Sequence, residues 1–370
     1  MSTSAPPAAR PVLTGLGVLS AFGPGLAPLA AATARAGTGF TEVARFDVSR
    51  RGTRRAALLP DPPPLDRAVL GAVADACRQS GLPAGPGDTP LLLALHSGLN
   101  TGAVAEAVAG GARALGLAGV GRVYTGACVA AATAVADAAA LVVSGRHPRV
   151  VVAAGHLVEP GVFAAFDAGR ALARDGELRP FSSGRTGTLL GDAAAAVVIE
   201  SDTAAGERGA RPLARLAGWG RAGDAHHVCR PRPDGAGVAR AARAALARAG
   251  VAPAEVGYVN ANGTGSPISD LAEARALRAV FGEALDRLPV SSSKSVHGHA
   301  LEASALLELL VTVAALESDR LPVNAGWLGP DPEIGLNLVL TDRQPSRPRY
   351  ALSLNSAFGG ANTALLVAAA

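Results

Sequence analysis

Apolar stretches of two kinds alternate along the chain. Short apolar runs bounded by Gly, Pro, Asn or Ser are typical of strands, and longer runs rich in Ala and Leu are typical of helices. We predict strands at 10–20, 90–97, 149–155, 191–201, 213–219, 256–261, 288–293 and 350–355, helices at 65–80, 129–144, 237–249, 269–281 and 300–317, and a closing hairpin at 359–368. This alternation predicts a layered α/β fold.

The predicted elements occur in the same order twice. In each part a strand, a tight turn, a buried Ala-rich helix, another strand and an apolar hairpin follow one another, which is the pattern of an internal duplication. We therefore expect a first half at 10–205 and a second half at 206–370. Ser, Ala and Pro cluster before them, so residues 1–9 are predicted to be a flexible N-terminus.

Composition limits the class of protein. A chain of 370 residues with 49% hydrophobic content can bury a large core. Its three cysteines do not suit a disulfide scaffold and favour a reducing, cytoplasmic location. No basic segment precedes a long apolar one, and Asp137 and Glu308 interrupt the longest apolar runs. We therefore expect neither a secretion signal nor a membrane span.

The basic charge comes almost entirely from arginine, because Lys294 is the only lysine in the sequence. Arginine and acidic residues are interspersed and aromatic residues amount to 4%, so no nucleic-acid surface is expected. A net charge of +4 is compatible with an acidic protein partner.

Cys128 is a candidate nucleophile. It follows the Gly126-Ala127 turn and begins a predicted helix, where the helix dipole and free amides would lower the pKa of a thiol. The alternative is a small buried hydrophobic residue, which is how we interpret Cys77.

Two polar segments form further candidate sites. Residues 259–266 (VNANGTGS), which include Asn262, lie where a predicted strand ends. Residues 291–299 (SSSKSVHGH) lead into an apolar helix with His299 at its start. A lysine retained in a chain that otherwise uses arginine suggests a buried Lys294 with an acidic partner, for which Glu308 is the candidate. A surface lysine and a capping histidine are the alternative.

Metal and nucleotide sites are not expected. The spacing of His226, His227 and Cys229 fits no common zinc pattern. The Gly-rich loops lack the motifs of phosphate-binding and dinucleotide-binding loops.

Over nearly its whole length the chain resembles the β-ketoacyl synthase branch of the thiolase-like condensing enzymes. The resemblance implies a thiolase-like, layered α-β-α-β-α fold made of two duplicated halves. The segments that carry it are PVLTGLGVLSAFG (11–23), RPFSSGRTGTLLGDAAAAVVIE (179–200), DAHHVCRPRPDGAG (224–237), YVNANGTGSPISDLAEARAL (258–277), SSSKSVHGHALEASALLELL (291–310) and LNSAFGGANTALLV (354–367).

The resemblance also implies roles for single residues. Cys128 matches the nucleophile that accepts an acyl group from a carrier thioester. Asn262 and His299 match the two side chains that hold the extender's thioester carbonyl during decarboxylation, and Lys294 and Glu308 match a buried supporting pair.

Further matches concern the substrate arm and the entrance. Thr264 and Ser266 match two hydroxyls that bind a phosphopantetheine arm, with Ser266 where threonine is usual. Phe358 matches a gating phenylalanine whose backbone N–H joins that of Cys128 as the oxyanion hole. No cofactor of the chain's own is implied, because the phosphopantetheine arm arrives on the carrier protein.

Three departures from the family pattern change what is expected. Asn262 stands where a histidine is usual; its amide can donate a hydrogen bond but cannot transfer a proton near neutral pH. Only thirty residues separate Gly98 from Cys128, a segment that is longer in the family and helps to form its dimer contact and acyl pocket. In the segment after the nucleophile, Ser182 and Thr186 stand where the family has acidic residues, and Asp192 stands where it has a glutamate.

Three functions therefore remain open. The first is decarboxylative condensation in polyketide or specialised fatty acid biosynthesis. The second is acyl transfer from Cys128 without elongation, which Asn262 makes a serious alternative. The third is a silent subunit that partners an active synthase, against which the intact Cys128 argues. The expected partners are an acyl carrier protein and a second copy of the chain or a related ketosynthase-like subunit.

Overall fold

The computed structural model describes residues 9–82, 87–96, 98–318, 320–342 and 347–370. Of the predicted flexible N-terminus, residues 1–8 lie outside the described residues. The strands are β1 Pro11–Ser20, β2 Gly23–Pro24, β3 Phe40–Glu42, β4 Arg55–Ala57, β5 Leu91–Leu95, β6 Val120–Tyr124, β7 Arg149–His156, β8 Ala193–Ser201, β9 Ala214–Gly223, β10 Val256–Asn260, β11 Val290–Ser291, β12 Tyr350–Ser356 and β13 Ala361–Ala369.

Helices alternate with these strands. They are α1 Leu26–Ala34, α2 Leu65–Ser80, α3 Thr101–Ala114, α4 Ala130–Val143, α5 Pro160–Ala168, α6 Asp202–Glu207, α7 Ala236–Ala249, α8 Pro267–Phe281, α9 Lys294–His297 and α10 Ser304–Glu317. Short 3-10 turns lie at Gly98–Asn100, Ala127–Val129, Pro253–Glu255, Gly282–Asp286 and Leu301–Ala303. Among these described elements, no helix is both long and apolar enough to cross a membrane.

One large sheet organises the molecule. Within the described residues its strand order is β11-β10-β12-β13-β9-β1-β8-β7-β5-β6, with β2 paired to β1. β5 runs parallel to β6 and β7 at one end, and β10 runs parallel to β11 and β12 at the other. The strands between them are antiparallel, so the same order of pairing is present on both sides of the β1–β9 contact.

Helices cover the sheet in layers. α2 and α3 pack outside β5, β7 and β8, while α7 and α8 enclose a separate core against β9, β10 and β13. α4 and α10 lie between the two ends of the sheet and share the largest core with both. Because these two helices are enclosed on most sides, their sequences are apolar nearly all round. The predicted layered α/β fold is confirmed.

Element boundaries differ most near the polar segments. The strand predicted at 288–293 is only Val290–Ser291, because the chain then turns into the helical residues Lys294–His297. The helix predicted at 300–317 begins at Ser304, after a 3-10 turn in which Leu301 has a φ of 41°. Lys294 therefore begins the short helix α9, whereas His299 lies in the irregular segment between α9 and the 3-10 turn Leu301–Ala303.

Close packing of α2 on β1 generates a stability prediction. A Cβ added at Gly17 would lie 1.9 Å from the backbone oxygen of Ala72, so Gly17→Ala should force β1 and α2 apart. Gly71→Ala is the matched control, since a Cβ there meets nothing within 4 Å and alanine favours the helix. We expect a loss of about 1–3 kcal/mol in unfolding free energy for Gly17→Ala and none for Gly71→Ala, measured by urea denaturation. Equal effects would contradict this account of the packing.

Candidate active site

The thiol of Cys128 lies at a junction between the parallel end of the sheet and helix α4. β6 ends at Tyr124, and the 3-10 turn Ala127–Val129 carries the chain into the helix. Ala127 adopts a φ of 52°, an uncommon conformation for a residue with a side chain. Cys128 is buried, and its Sγ lies 3.0 Å from Nε2 of His299.

Hydrogen bonds at its backbone N–H and at Nδ1 fix the position of His299. Its backbone N–H donates to Leu189 O at 2.7 Å, and its Nδ1 lies 2.8 Å from Oγ of Ser304. The same hydroxyl oxygen accepts the backbone N–H of Ala300 at 2.8 Å. If Ser304 donates to Nδ1, Nε2 carries the ring proton; if Nδ1 donates to Ser304, Nε2 can accept the thiol proton. The ring can therefore act toward Cys128 as either donor or acceptor.

The Cys128–His299 pair is neutral at rest. Burial raises the pKa of Cys128 to about 12; the charge of Glu302 adds to this rise and Lys294 opposes it. Burial, followed by the charge of Lys294, lowers the pKa of His299 well below 6.5. The expectation of a lowered thiol pKa was wrong, because desolvation outweighs the position at the helix start. An attack by this thiol would therefore require His299 to accept its proton.

The side-chain amide of Asn262 has a defined orientation. Its Oδ1 accepts from Lys294 Nζ and from the backbone N–H of Ser356, each at 3.2 Å. Both neighbours are donors, so the amide nitrogen must point the other way. Nδ2 has no acceptor among the residues that the structure describes, and Asn262 lines the cavity at Cys128. This amide can donate to a ligand oxygen.

Lys294 is fully buried and contacts three acceptors. Its Nζ lies 2.7 Å from Glu308 Oε1 and donates to the backbone oxygen of Asn262 at 2.8 Å, in addition to Asn262 Oδ1. Asn355 donates to the other oxygen of Glu308 at 2.7 Å. The structure thus brings the predicted Lys294–Glu308 pair together directly behind Asn262.

Two buried carboxylates hold the loop around Asn262. Glu273 accepts the backbone N–H groups of Asn262 and Gly263 at 2.7 and 2.8 Å, and Asp270 accepts those of Thr264 and Gly265 at 3.1 Å. Burial raises the pKa of Asp270 to about 6 and that of Glu273 to about 7, although these backbone bonds oppose the rise. Sequence reasoning missed both residues; the signal was their spacing of three on the inner face of α8.

A cavity of about 330 Å³ connects these groups. Lys294 and Glu308 lie behind its wall, and Phe358 stands half-exposed at its opening, stacked on Phe166 with ring centroids 5.9 Å apart. Of the predicted site residues, the cavity brings together Cys128, Asn262, Thr264, Ser266, His299 and Phe358.

The loop that carries Phe358 presents a free backbone donor. The N–H groups of Ala357, Gly359 and Gly360 donate to backbone oxygens, whereas that of Phe358 has no acceptor among the described residues. Gly359 N–H donates to Val228 O at 2.7 Å, which ties this loop to the segment that carries Cys229. The two loops therefore form one side of the cavity opening.

The opening is cationic, which the sequence did not predict. Arg170, Arg230 and Arg232 are exposed and line the cavity. The nearby His227 accepts the backbone N–H of Cys229 at its Nδ1 and lies 3.6 Å from the thiol of that residue. Within the described part of the chain, no group of three His, Cys, Asp or Glu residues is arranged to hold a metal ion.

The segments that depart from the expected pattern differ in burial: α3 and β6 are largely exposed, whereas Ser182 and Asp192 are fully buried. Helix α3 and strand β6 occupy the described residues between Gly98 and Cys128. Asp192 is fully buried and accepts two bonds from Arg45, at 3.1 and 2.6 Å, and the backbone N–H groups of Leu59 and Val158. Ser182 accepts the backbone N–H of Leu328 at 2.9 Å.

Family comparisons match most of the chain. A family model described as the N-terminal domain of beta-ketoacyl synthase matches residues 94–205, and one described as its C-terminal domain matches residues 213–327. A 3-oxoacyl-[acyl-carrier-protein] synthase 2 of Staphylococcus aureus is 37% identical over 234 residues, which cover 62% of this chain and 56% of the relative. The match thus spans little more than half the length of that relative.

Solved structures match the fold over nearly the full chain. The ishigamide ketosynthase/chain length factor has a TM-score of 0.89 at 28% identity and covers 98% of this chain and 100% of its own. A type II polyketide synthase acyl-carrier protein in complex with its ketosynthase, bound to the hexaketide, has the same TM-score and coverage at 21% identity, which shows likeness of fold alone.

The influence of Glu302 on Cys128 can be measured. Replacing Glu302 by Gln removes the negative charge that raises the thiol pKa, so more thiolate forms at a given pH. We expect Cys128 in Glu302→Gln to be alkylated by iodoacetamide at pH 8 severalfold faster than in the unmodified protein, measured by peptide mass spectrometry. Glu333→Gln changes an exposed carboxylate and should leave the rate unchanged. An unchanged rate in Glu302→Gln would show that the charge of Glu302 lies too far from the Cys128 sulfur to raise its pKa.

Glu273 should make folding stability depend on pH. Its pKa is about 7 in the folded protein, whereas a glutamate outside the fold has a pKa of 4.5, so the folded state binds more protons between these values. The free energy of unfolding contributed by this group therefore falls as pH rises from about 4.5 to about 7. Urea denaturation should show a flatter pH dependence in Glu273→Gln than in Glu333→Gln. Identical slopes would show that Glu273 titrates normally.

Proposed function

Because the chain belongs to the β-ketoacyl synthase family, we propose that it forms an acyl thioester on Cys128 and condenses it with a malonyl-type carrier thioester. The observation that carries the proposal is the 3.0 Å contact between Cys128 Sγ and His299 Nε2, in a cavity that also presents the amide of Asn262. Cys128 as the nucleophile then lies close to His299, which can accept its proton. Asn262 and His299 can also each donate a hydrogen bond to a carbonyl oxygen.

The first half-reaction is thioester exchange. As the Cys128 sulfur attacks the carrier thioester carbonyl, its proton passes to Nε2 of His299. The negative oxygen of the tetrahedral intermediate accepts from the backbone N–H groups of Cys128 and Phe358. The bond to the carrier sulfur then breaks, and His299 returns the proton to that sulfur. One thioester is lost and one is formed, so the exchange needs no cofactor.

The second half-reaction needs donors rather than a base. When the malonyl-type carboxylate leaves as carbon dioxide, the electrons of the broken carbon–carbon bond pass to the thioester oxygen as an enolate. Asn262 Nδ2 and His299 Nε2–H donate to that oxygen. The enolate carbon then attacks the acyl carbonyl on Cys128, the bond from that carbonyl to the cysteine sulfur breaks, and the thiolate takes a proton from solvent to restore the neutral thiol. Lys294 supports this step by holding Oδ1 of Asn262 away from the cavity.

Several features of the opening support a carrier-borne substrate. The hydroxyls of Thr264 and Ser266 line the cavity and would bind the amides of a phosphopantetheine arm. The arm itself arrives on the acyl carrier protein, and the exposed arginines suit its phosphate. A structural neighbour is described as a ketosynthase in complex with such a carrier. A homodimer, or a heterodimer of the kind named for the ketosynthase/chain length factor, is the proposed assembly.

Asn262 favours one alternative function. Acylation uses Cys128 and His299 alone, whereas decarboxylation also depends on the donor at position 262, where an amide stands in place of the usual imidazole, so acylation is the better supported step. Non-elongating acyl transfer from Cys128 to another nucleophile is therefore the second candidate. A silent partner subunit is the least supported, since Cys128 and His299 are in contact. Polyketide or specialised fatty acid biosynthesis is the proposed setting.

Acyl loading and decarboxylation can be measured separately. Incubation with an acyl carrier thioester should add one acyl group to the protein, detected by intact mass, and Cys128→Ala should abolish the adduct. Malonyl carrier protein should then yield carbon dioxide and a β-keto product. Loading without carbon dioxide release would reject condensation in favour of acyl transfer, and no adduct would favour the silent subunit.

The substitution Asn262→His tests what the amide limits. The ring Nδ1 can accept the backbone N–H of Ser356 in place of Oδ1, which leaves Nε2–H for the enolate oxygen. We expect carbon dioxide release to rise about tenfold or more, with acyl loading on Cys128 unchanged. Cys128→Ala in the same background separates decarboxylation from condensation. No gain would assign the limit to the short segment before Cys128.

A further inference from the structure

A second group of titratable side chains lies beside Cys128, and none of its members has a role in the proposed reaction. β6, β5 and β7 are adjacent parallel strands, and their carboxyl ends lead to Cys128, His96 and His156 respectively. Leu95 of β5 pairs with Gly155 of β7, so His96 and His156 are neighbours across the two strands. Carboxyl ends of parallel strands are where α/β proteins bind ligands.

The turn after His299 adds a carboxylate to this group. The 3-10 turn Leu301–Ala303 packs against the ends of β5 and β7 and against the turn that carries Cys128. Leu301, which shares an apolar cluster with Cys128, adopts a φ of 41°. Glu302 follows it directly. Strained backbone conformations of this kind cluster at functional sites, and this one places the carboxylate of Glu302 near Cys128.

Two polar atoms in this group are buried without partners. Glu302 is 6% exposed and His156 is 2% exposed, and neither Glu302 Oε2 nor His156 Nε2 has a hydrogen-bond partner in the described residues. Buried polar groups are almost always paired, because leaving one unpaired is destabilising. Unpaired groups beside a nucleophile therefore indicate a ligand that supplies the missing partner.

Charge effects support the proximity of these residues. Among charged groups, Glu302 has the largest influence on the pKa of Cys128, which it raises. The charge of His96 lowers the pKa of Glu302 and that of His156. Lys294 pairs with Glu308 and not with Glu302.

We propose that Glu302 and His156 bind a hydroxyl or amino group on the acyl group that Cys128 carries, so that hydroxyacyl or aminoacyl groups load in preference to alkyl groups of equal length. This inference rests on the proposed acyl transfer to Cys128. Because the turn of Glu302 packs on that of Cys128, the proposal places the bound group on the part of the acyl chain near the thioester carbonyl. An alkyl acyl group would leave both polar atoms unpaired and exclude water from them.

Three thioesters of matched size test the preference. Butyryl, 3-hydroxybutyryl and 3-aminobutyryl N-acetylcysteamine thioesters differ only at one position and avoid any effect of carrier recognition. We expect Cys128 to acquire the hydroxyl or amino chain about tenfold faster or more than the butyryl chain, measured by intact mass over time. The amino arm also reports whether Glu302 binds a cation, because its ammonium can pair with the carboxylate.

Variants of Glu302 assign the preference to its side chain. Glu302→Gln keeps an acceptor without the charge and should retain selection for hydroxyl while losing selection for ammonium. Glu302→Ala should lose both and load butyryl faster, and Glu333→Gln should behave like the unmodified protein. Thermal unfolding checks that each variant is folded. If Glu302→Ala does not fold, the loading rates of the three thioesters on the unmodified protein and on Glu302→Gln decide whether Glu302 sets the preference.

The outcomes separate this inference from the function on which it rests. Adducts with equal rates for all three thioesters, or a preference that survives in Glu302→Ala, would overturn the inference and leave acyl transfer intact. No adduct with any thioester would overturn both.

Discussion

The buried ammonium of Lys294 is the interaction on which the site depends. Within a fully enclosed environment it contacts Glu308 on α10 and both oxygens of Asn262, after β10. Through Asn355 and Ser356 the same group extends to the end of β12. Removing one partner from such a pair costs about 3–5 kcal/mol, because it leaves a buried charge uncompensated. Three elements that are distant in sequence are thus held in one arrangement by a single charge.

That arrangement gives the two carbonyl-facing side chains different capabilities. Asn262 is locked as a donor, because both neighbours of Oδ1 donate to it. His299 can donate or accept, since Ser304 can satisfy either form of Nδ1. In the proposed function, acylation needs only the adaptable ring of His299, whereas decarboxylation needs hydrogen-bond donors on both side chains. The neutral state of Cys128 and His299 fits the proposed acylation, because the thiol proton would move only when a substrate carbonyl is attacked.

The fold was predictable where the apolar period was strong and not where the sequence was weakly patterned. α2 at Leu65–Ser80 was predicted with its observed ends, since its apolar stripe and Gly81 mark them clearly. α3 and β6 were missed, because the Gly- and Ala-rich residues 101–124 have little contrast between buried and exposed positions. α5 was missed as well. Its nine residues from Pro160 bury only Phe163 fully, so they leave no clear helical period.

The sequence alone determined the layered fold class, the candidate roles of Cys128, Asn262, His299 and Lys294, and Glu308 as the partner of the lysine. These follow from local patterns and from a resemblance that motifs carry. Tertiary structure decided the raised thiol pKa, the orientation of the Asn262 amide, the carboxylates of Asp270 and Glu273 under the loop, and the unpaired Glu302. Desolvation and hydrogen bonding depend on which distant residues surround a group, and no local stretch of sequence contains that information.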